Sequence, residues 1–423
     1  MRGLYHFFLI VYFLGIHLLS LFSNKARLWV KGRRSLMHSM QEAAGADRPD
    51  RKVRHTLWFH CASLGEFEQG RPVIESVKAA YPECRLLLTF FSPSGFEVRK
   101  NYPVADHVFY LPLDTPGNVR RFLDLWKPDL AVFVKYEYWF NYLDALHKAG
   151  TPVFVISAIF RPGQYFFRTW GRWFLKHLKT VSCFFIQDEA SAELLRKQNI
   201  RQVVLSGDTR FDRVWQLSKN PESLPEVAAF KGDEKVLVAG STWPADETLL
   251  RQLINDESLK LKYIIAPHEV HEDRIRQLEQ LAPGNTVRHS QWIKNPDARA
   301  RLMIIDGIGF LSHVYQYGHV AYIGGGFGDG IHNILEAATY GLPVFFGPKY
   351  QKFAEARELL KRGGVYSVSN AETMRDLLRP IIEKEDELRR HAAICREFVE
   401  SGRGAASIIT THITEKLNLS ESS

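Results

Sequence analysis

The sequence predicts an α/β protein of two doubly wound domains behind a hydrophobic amino-terminal segment. Three observations predict it. At 423 residues the chain exceeds what one hydrophobic core usually supports. Short apolar runs alternate with helix-period stretches along most of its length, and the alternation breaks once, near the middle. Residues 3–22 contain no Lys, Arg, Asp or Glu.

That first segment, as a helix, would be roughly 30 Å long, about the thickness of a bilayer's hydrocarbon core. Lys25, Arg27, Lys31, Arg33 and Arg34 follow it at once, a flank suited to anionic lipid on the cytoplasmic side. Only Arg2 precedes the run and no small-x-small site closes it, which argues against a cleaved signal peptide. With His6 and His17 inside it, the segment either spans the membrane or lies in its interface.

In the first half, strands are expected at 56–62, 85–91, 108–111, 129–134, 152–157, 182–186 and 202–205. Helical stretches such as 67–80, 119–126 and 142–149 separate them. Strands that alternate with helices form a parallel sheet covered on both faces. The polar, Pro-containing stretch Ser-Lys-Asn-Pro-Glu-Ser-Leu-Pro at 218–225 reads as a linker. The alternation restarts with strands at 235–239, 262–266, 302–305, 320–323 and 343–346, and 371–417 is mostly helical and charged. The expected division is an anchor over 1–22, a first domain over 23–217, a linker over 218–226 and a second domain over 227–380. Helices over 381–423 complete the chain and can cross back to the first domain. In such sheets ligands bind outside the carboxyl ends of the strands.

Hydrophobic residues make up 45% of the chain and charged residues 24%, as in an ordinary folded protein. A net charge of +8 suits an anionic partner: nucleic acid, an acidic membrane surface or a phosphorylated substrate. Cys61, Cys84, Cys183 and Cys395 are scattered without a CxxC pair, which argues against a zinc site and a disulfide framework and fits a reducing compartment. The Asp, Glu and His residues show no metal-binding spacing, so no metal is expected. There is no phosphate loop of the GxxxxGK[ST] kind and no GxSxG elbow.

The richest motif is Gly324-Gly325-Gly326-Phe327-Gly328-Asp329-Gly330, between the apolar run 320–323 and helical spacing from Ile334. Glycines there let backbone N–H groups approach an anion, and Glu336 can accept hydrogen bonds from a ribose diol. Gly240-Ser241-Thr242, Pro267-His268 and Asp306-Gly307-Ile308-Gly309-Phe310 also follow strands of the second half. Four strand ends thus present small or polar groups on one side of one sheet. In the first half, His60-Cys61-Ala62-Ser63-Leu64-Gly65-Glu66 ends a strand and opens a helix. Glu66 can serve as a general base toward a sugar hydroxyl, or can only complement the helix dipole. Arg210, in Gly207-Asp208-Thr209-Arg210-Phe211-Asp212, can stabilise phosphate charge or pair with Asp208 or Asp212. Over 161–179, Arg168, Arg172 and Lys176 form one helical stripe with Phe166, Trp170, Trp173 and Phe174 largely opposite. This suits a membrane surface, or an ordinary helix with its aromatic side on the core.

In order along the chain, these motifs resemble the Kdo (3-deoxy-D-manno-octulosonic acid) transferases of lipopolysaccharide synthesis. The resemblance begins with the hydrophobic segment and Arg27-Leu28-Trp29-Val30-Lys31-Gly32-Arg33. It continues through Ser63-Leu64-Gly65-Glu66, Thr89-Phe90-Phe91-Ser92-Pro93-Ser94-Gly95 and Glu137-Tyr138-Trp139. It ends with Gly240-Ser241-Thr242, Gly324-Gly325-Gly326, His332-Asn333-Ile334-Leu335-Glu336 and Gly347-Pro348. The resemblance implies an inverting enzyme of the GT-B type, with two Rossmann-like domains facing across a cleft. It implies CMP-Kdo as donor, a lipid A precursor as acceptor and no cofactor. It implies a place at the inner membrane, with one amino-terminal anchor and cytoplasmic catalytic domains. It makes Glu66 the general base and Arg210 a charge-stabilising cation, and it places CMP contacts at Pro267, His268, Ile308, Gly309, Phe310, Asn333, Ile334, Leu335 and Glu336. Two departures stand out. His268 occupies the place of an arginine, and Lys135 stands where relatives carry a glutamate, so that glutamate's role is not carried over. Lys135 can contact an acceptor phosphate, or pair with Glu137 or Asp129. The competing expectation is a GT-B enzyme that uses a UDP-sugar on a lipid. A nucleic-acid partner is not expected, because simple charge attraction does not gather polar groups at strand ends.

Overall fold

The computed structural model of the chain describes residues 1–46, 55–168, 171–292, 296–297 and 299–417. Two compact units are present: Met1–Arg213 with Arg403–Ser423, and Val214–Gly402.

The first unit is built on seven strands: β1 (Thr56–Cys61), β2 (Arg85–Phe90), β3 (His107–Tyr110), β4 (Leu130–Val134), β5 (Val153–Ala158), β6 (Cys183–Ile186) and β7 (Val203–Leu205). Their order across the sheet is β3-β2-β1-β4-β5-β6-β7. All pairs are parallel; Leu57 to His60 of β1 face Leu130 to Phe133 of β4 in register. Every residue of β1, β4 and β5 is buried, because helices cover both faces. One face packs Trp58, Phe122, Phe133 and Tyr142; the other packs Phe59, Phe67, Val132 and Ile156. The expected strands of this half are all present to within a residue or two.

The second unit repeats the plan with β8 (Val236–Thr242), β9 (Lys262–Pro267), β10 (Thr286–Arg288), β11 (Leu302–Ile304), β12 (Val320–Ile323), β13 (Val344–Phe346) and β14 (Val365–Ser367). The order is β10-β11-β9-β8-β12-β13-β14, again all parallel. β10 and β14 are not among the strands expected from the sequence. Both are three-residue edge strands, too short to show a period, and only pairing to the neighbouring strand makes them strands.

The boundary between units falls inside the helix Thr209–Lys219, not in the expected linker 218–226. Adjacent residues are anchored differently. Arg213 Nε donates to Glu68 of the first unit at 2.9 Å, while the carbonyl of Val214 accepts from Thr339 of the second at 3.5 Å. At the other end, the helix Glu385–Ser401 stays with the second unit, held by a Tyr366–His391 hydrogen bond of 2.6 Å and by buried Cys395. The return to the first unit therefore begins at Arg403, not at 381. There Asp212 accepts the N–H groups of Gly404 and Ala406 at 2.9 and 3.2 Å, and Ile409 and Ile413 join the core beneath β1.

Three helices precede β1, namely α1 (Arg2–Leu19), α2 (Asn24–Lys31) and α3 (Leu36–Ala46), and α4 (Leu64–Ala80) follows it. By length and composition α1 is able to cross a membrane. In the structure one side of it lies on the first unit. Tyr5 packs edge-on against Phe140, His6 bonds Asn141 at 3.2 Å, Leu9 is buried, and Tyr12 meets Trp29 and Phe91. The opposite side exposes Phe7, Phe8, Val11, Leu14 and Leu18.

Residues 161–179 do not form one amphipathic helix. The described parts are a 3₁₀ turn at Tyr165–Phe167 and a helix at Arg172–Leu178, and Trp170 lies outside the described residues. Arg168 is therefore not on a stripe with Arg172 and Lys176. Phe166 is buried against Tyr138, and Phe174 packs on Phe140 and Tyr165. Burying those rings outweighs the helical spacing of the cations.

Candidate active site

In the first unit, β1 delivers the chain to Ser63, which caps α4; its Oγ accepts the Gly65 N–H at 3.2 Å. Glu66 stands in the first turn of α4, half-buried, and takes a hydrogen bond from the Ser63 hydroxyl. The helix terminus thus holds this carboxylate at the carboxyl edge of the sheet, so the dipole role and a base role are compatible.

Two cations share its surroundings. Lys135 follows β4 with φ of 68°, a left-handed conformation that a non-glycine residue adopts at a cost of about 1–3 kcal/mol. Its ammonium is pushed down from the usual lysine value by burial first and then by Arg210, against the opposing pull of Glu66 and Asp208. Neither expected partner holds it: Glu137 takes the Trp139 indole N–H at 2.8 Å, and Asp129 takes the Thr56 N–H at 2.7 Å. Arg210 does pair as the sequence allowed, with Asp208: Nε to Oδ2 is 2.8 Å and the Arg210 N–H to Oδ1 is 2.9 Å. A buried Ser157–Thr209 hydroxyl contact of 2.6 Å ties the start of that helix to β5, where Ser157 also has a positive φ of 52°. The edge thus combines two carboxylates, Glu66 and Asp208, with two cations and two left-handed residues.

The sequence does not reveal a buried network behind this edge. His60 Nδ1 lies 2.9 Å from Thr89 Oγ1, and its Nε2 lies 3.4 Å from Glu137 and 3.1 Å from the Trp139 indole nitrogen. The alternation of β1 marks His60 only as a strand residue.

In the second unit, β11, β9, β8 and β12 are neighbours, so their four carboxyl ends do gather at one edge as expected. The ring of Trp243 stacks on His268 with centroids 4.5 Å apart, and His268 stacks on His332 at 4.6 Å. Trp243 Nε1 donates to His332 Nε2 at 3.1 Å. His332 is held below its ordinary value by burial and then by His268, consistent with a neutral ring accepting at Nε2. His268 is exposed, whereas Pro267 is buried within β9. Asn333 Nδ2 donates to Glu336 at 3.0 Å, and Glu336 acts on the buried Tyr315. A side chain at Gly240 would meet Tyr315 Oη and Leu311, so the 306–315 loop reaches the end of β8. Ile308 is 88% exposed, Gly309 has φ of 94°, and Phe310 rests on His289.

Two expectations need correction here. Four N–H groups of the glycine-rich turn are taken by the protein's own acceptors. Gly325 N–H goes to buried Asp246 at 2.9 Å, Gly328 and Gly330 donate to the Gly325 carbonyl, and Gly324 donates to Gly240. The glycines serve close backbone packing instead: a Cβ on Gly324 or Gly326 would fall 2.2 Å from the Ser241 carbonyl oxygen or 2.5 Å from the Gly347 nitrogen. The helix expected from Ile334 is regular only over Leu335–Ala338, ended by the turn at Gly341 with φ of 76°, so its dipole is small. Ile334 and Leu335 have fully buried side chains and offer a ligand only backbone.

Comparison with known proteins agrees with the motif resemblance. Residues 34–213 match the family model described as 3-Deoxy-D-manno-octulosonic-acid transferase (kdotransferase). The 3-deoxy-D-manno-octulosonic acid transferase of Rickettsia felis is 25% identical over 364 residues, covering 83% of this chain and 77% of the relative. The probable mitochondrial enzyme of that name from Arabidopsis thaliana is 27% identical over 384 residues, covering 86% and 84%. In fold the chain is similar to UDP-GlcNAc 2-epimerase from Neisseria meningitidis bound to UDP-GlcNAc, with TM-score 0.60, 15% identity, and 85% and 100% coverage. The two Rossmann-like units have a GT-B type fold, and the sequence is similar to Kdo transferases over most of its length.

Proposed function

We propose that this protein moves Kdo from CMP-Kdo to a glucosamine hydroxyl of a lipid A precursor, with inversion, at the cytoplasmic face of the inner membrane. The first unit presents the acceptor half of the chemistry and the second the donor half. Glu66 removes the proton from the acceptor hydroxyl. That oxygen forms its bond to the anomeric carbon of Kdo as the bond to the CMP phosphate oxygen breaks, and the electron pair leaves with CMP. CMP is a good leaving group, so what the protein supplies is positioning and neutralisation of phosphate charge. Arg210 serves the departing phosphate. Lys135, a cation where relatives carry an acid, serves a phosphate on the acceptor. The Trp243–His268–His332 stack offers a flat surface for a pyrimidine, and Glu336 an acceptor for ribose hydroxyls.

The observation that carries this reading is Glu66 at a helix start on a sheet's carboxyl edge, within the field of Lys135 and near Arg210. Incubation with CMP-Kdo and a lipid A precursor, followed by mass spectrometry, tests it: a product heavier by one or more Kdo units is expected, and an unchanged acceptor refutes it. His268 in place of an arginine keeps a UDP-sugar donor as the rival. CMP, but not UDP, should raise the melting temperature.

A further inference from the structure

A cavity of about 680 Å³ lies between α1 and the turn that joins α2 to α3, beyond the carboxyl end of β3. That is within the usual range of about 300–1,000 Å³ for a small-molecule pocket. Leu9, Ile10 and Phe13 of α1 form one wall, and Trp29, Met37 and Leu113 face it. We propose that this cavity holds an acyl chain of a phosphorylated glycolipid, the acceptor of the transfer reaction. The inference rests on the acceptor named above and adds where its lipid part sits.

Continuity with the membrane is the first argument. The wall is the same helix whose opposite side exposes Phe7, Phe8, Val11, Leu14 and Leu18. Docked along one side by Tyr5, His6 and Leu9, α1 presents that outer side as an interfacial helix does, and a chain reaches the cavity from lipid without crossing water. Charge complementarity is the second. Arg33 lines the cavity, packed over the rings of Trp29, Tyr110 and Phe91 at 4.0, 4.6 and 5.1 Å. It donates to the carbonyls of Leu111, Trp29 and Phe91, and no carboxylate pairs with it among the described residues. Burial lowers its guanidinium to about 9, which still leaves it charged at neutral pH. Arg34, also on the cavity, is exposed. Trp29 is 2% exposed, and its indole N–H has no acceptor among the described residues. Two cations and an unsatisfied donor beside an apolar slot match a phosphate, an acyl carbonyl and a hydrocarbon tail.

Position selects the acceptor over bulk phospholipid. β3 is two strands from β1 in the sheet order, and Glu66 follows β1 at the same edge. At the usual strand spacing that separation is about 10 Å, which a sugar headgroup spans. The Trp29–Arg33 stretch belongs to the Arg27–Arg33 motif, whose role then becomes clear. Gly32 admits the Tyr110 ring, which a Cβ would meet at 2.2 Å, and so seats Arg33.

The test uses the full chain, with Kdo transfer measured on a tetraacylated lipid A precursor and on its deacylated glycan. For the wild type we expect the KM for the acylated acceptor to be at least about tenfold lower. In Ile10→Trp and Leu113→Trp the two KM values should converge. Parallel loss with both acceptors overturns the proposal. A precursor carrying a diazirine on one acyl chain provides an arm independent of turnover: crosslinks are expected within 9–13, 29–38 and 112–118, and crosslinks elsewhere overturn it. Labelling of those segments by diazirine phosphatidylglycerol that the precursor does not compete away would make the cavity a general lipid site and also overturn it. Failure of any Kdo transfer by the wild type would refute the proposed function, while the crosslinking arm still reads the cavity.

Discussion

The phenolic O–H of Tyr5 donates to Asp114 Oδ2 at 2.6 Å across 109 positions of sequence. Asp114 is fully buried and also accepts the N–H groups of Asn141 and Tyr142, each at 3.0 Å. This bond fastens an otherwise lipid-seeking helix to the first unit. Burial raises the Asp114 carboxyl above its ordinary 3.8, and the Tyr5 hydrogen bond is the largest force opposing that rise. The carboxyl's contribution to stability is therefore fully present below the unfolded value and is lost as pH rises through the folded value. Tyr5→Phe removes a donor from a buried carboxylate and should cost about 1–3 kcal/mol near neutral pH. It also lifts the folded value further, so the deficit should grow as pH rises through that window. Thermal melts of both proteins across acidic to neutral pH check this; a deficit that shrinks with rising pH would contradict it.

Glu66→Gln keeps the Ser63 contact possible and removes the base. Turnover should fall by about 10²–10⁴-fold while CMP-Kdo binding persists. Single-turnover rates and equilibrium binding of the donor separate the two effects. Near-normal turnover would refute the assignment.

Lys135 lacks the acidic partners expected of it. Lys135→Gln should raise the KM for a phosphorylated acceptor by about tenfold or more and have little effect on a dephosphorylated one. Its lowered ammonium also means that affinity for the phosphorylated acceptor falls at a pH below the ordinary lysine range. KM measured against pH for both acceptors decides the matter.

Gly326 packs its backbone on Gly347, with no room for a methyl group. Gly326→Ala should lower stability by several kcal/mol or prevent the second unit from folding, on the order of a severe overpacking change. Denaturant unfolding measures it. An unchanged midpoint would show that the two loops separate freely.

Glu247 and Arg274 are both buried and form a short ion pair, with Thr242 Oγ1 donating to Glu247 at 2.8 Å. Burial pushes the Glu247 carboxyl up, and Thr242 and then Arg274 pull it back. Arg274→Met leaves that acid unpaired beneath the end of β8 and should cost about 3–5 kcal/mol. Calorimetry of Arg274→Met and of the double change Glu247→Met with Arg274→Met tests the cause: the double change should recover much of the loss.

Much of this architecture was readable because apolar periodicity is a local record of burial. The runs at β1, β4 and β5 are long, β-branched or aromatic, and buried on both faces, so composition alone marks them. The carboxyl-edge motifs were readable for a related reason: a polar or glycine residue directly after such a run stands at the sheet's edge in this topology. What glycines do there was not readable. At Gly325 and Gly328 the sequence suggests amides free for an anionic ligand, and the structure spends them on the Asp246 carboxylate and the Gly325 carbonyl. The identity of a residue does not reveal which of its hydrogen bonds is already taken.

By itself the sequence determined two parallel α/β units, their strand succession, an apolar first helix and the nature of the groups at each sheet's edge, since each depends on residues near one another in the chain. Tertiary structure decided which side of α1 is sequestered, that neither Glu137 nor Asp129 holds Lys135, that Trp243, His268 and His332 stack, and that the unit boundary falls between Arg213 and Val214. Most of those features depend on contacts between residues far apart in the chain. Their energies come from burying groups together, and no local pattern encodes the partner.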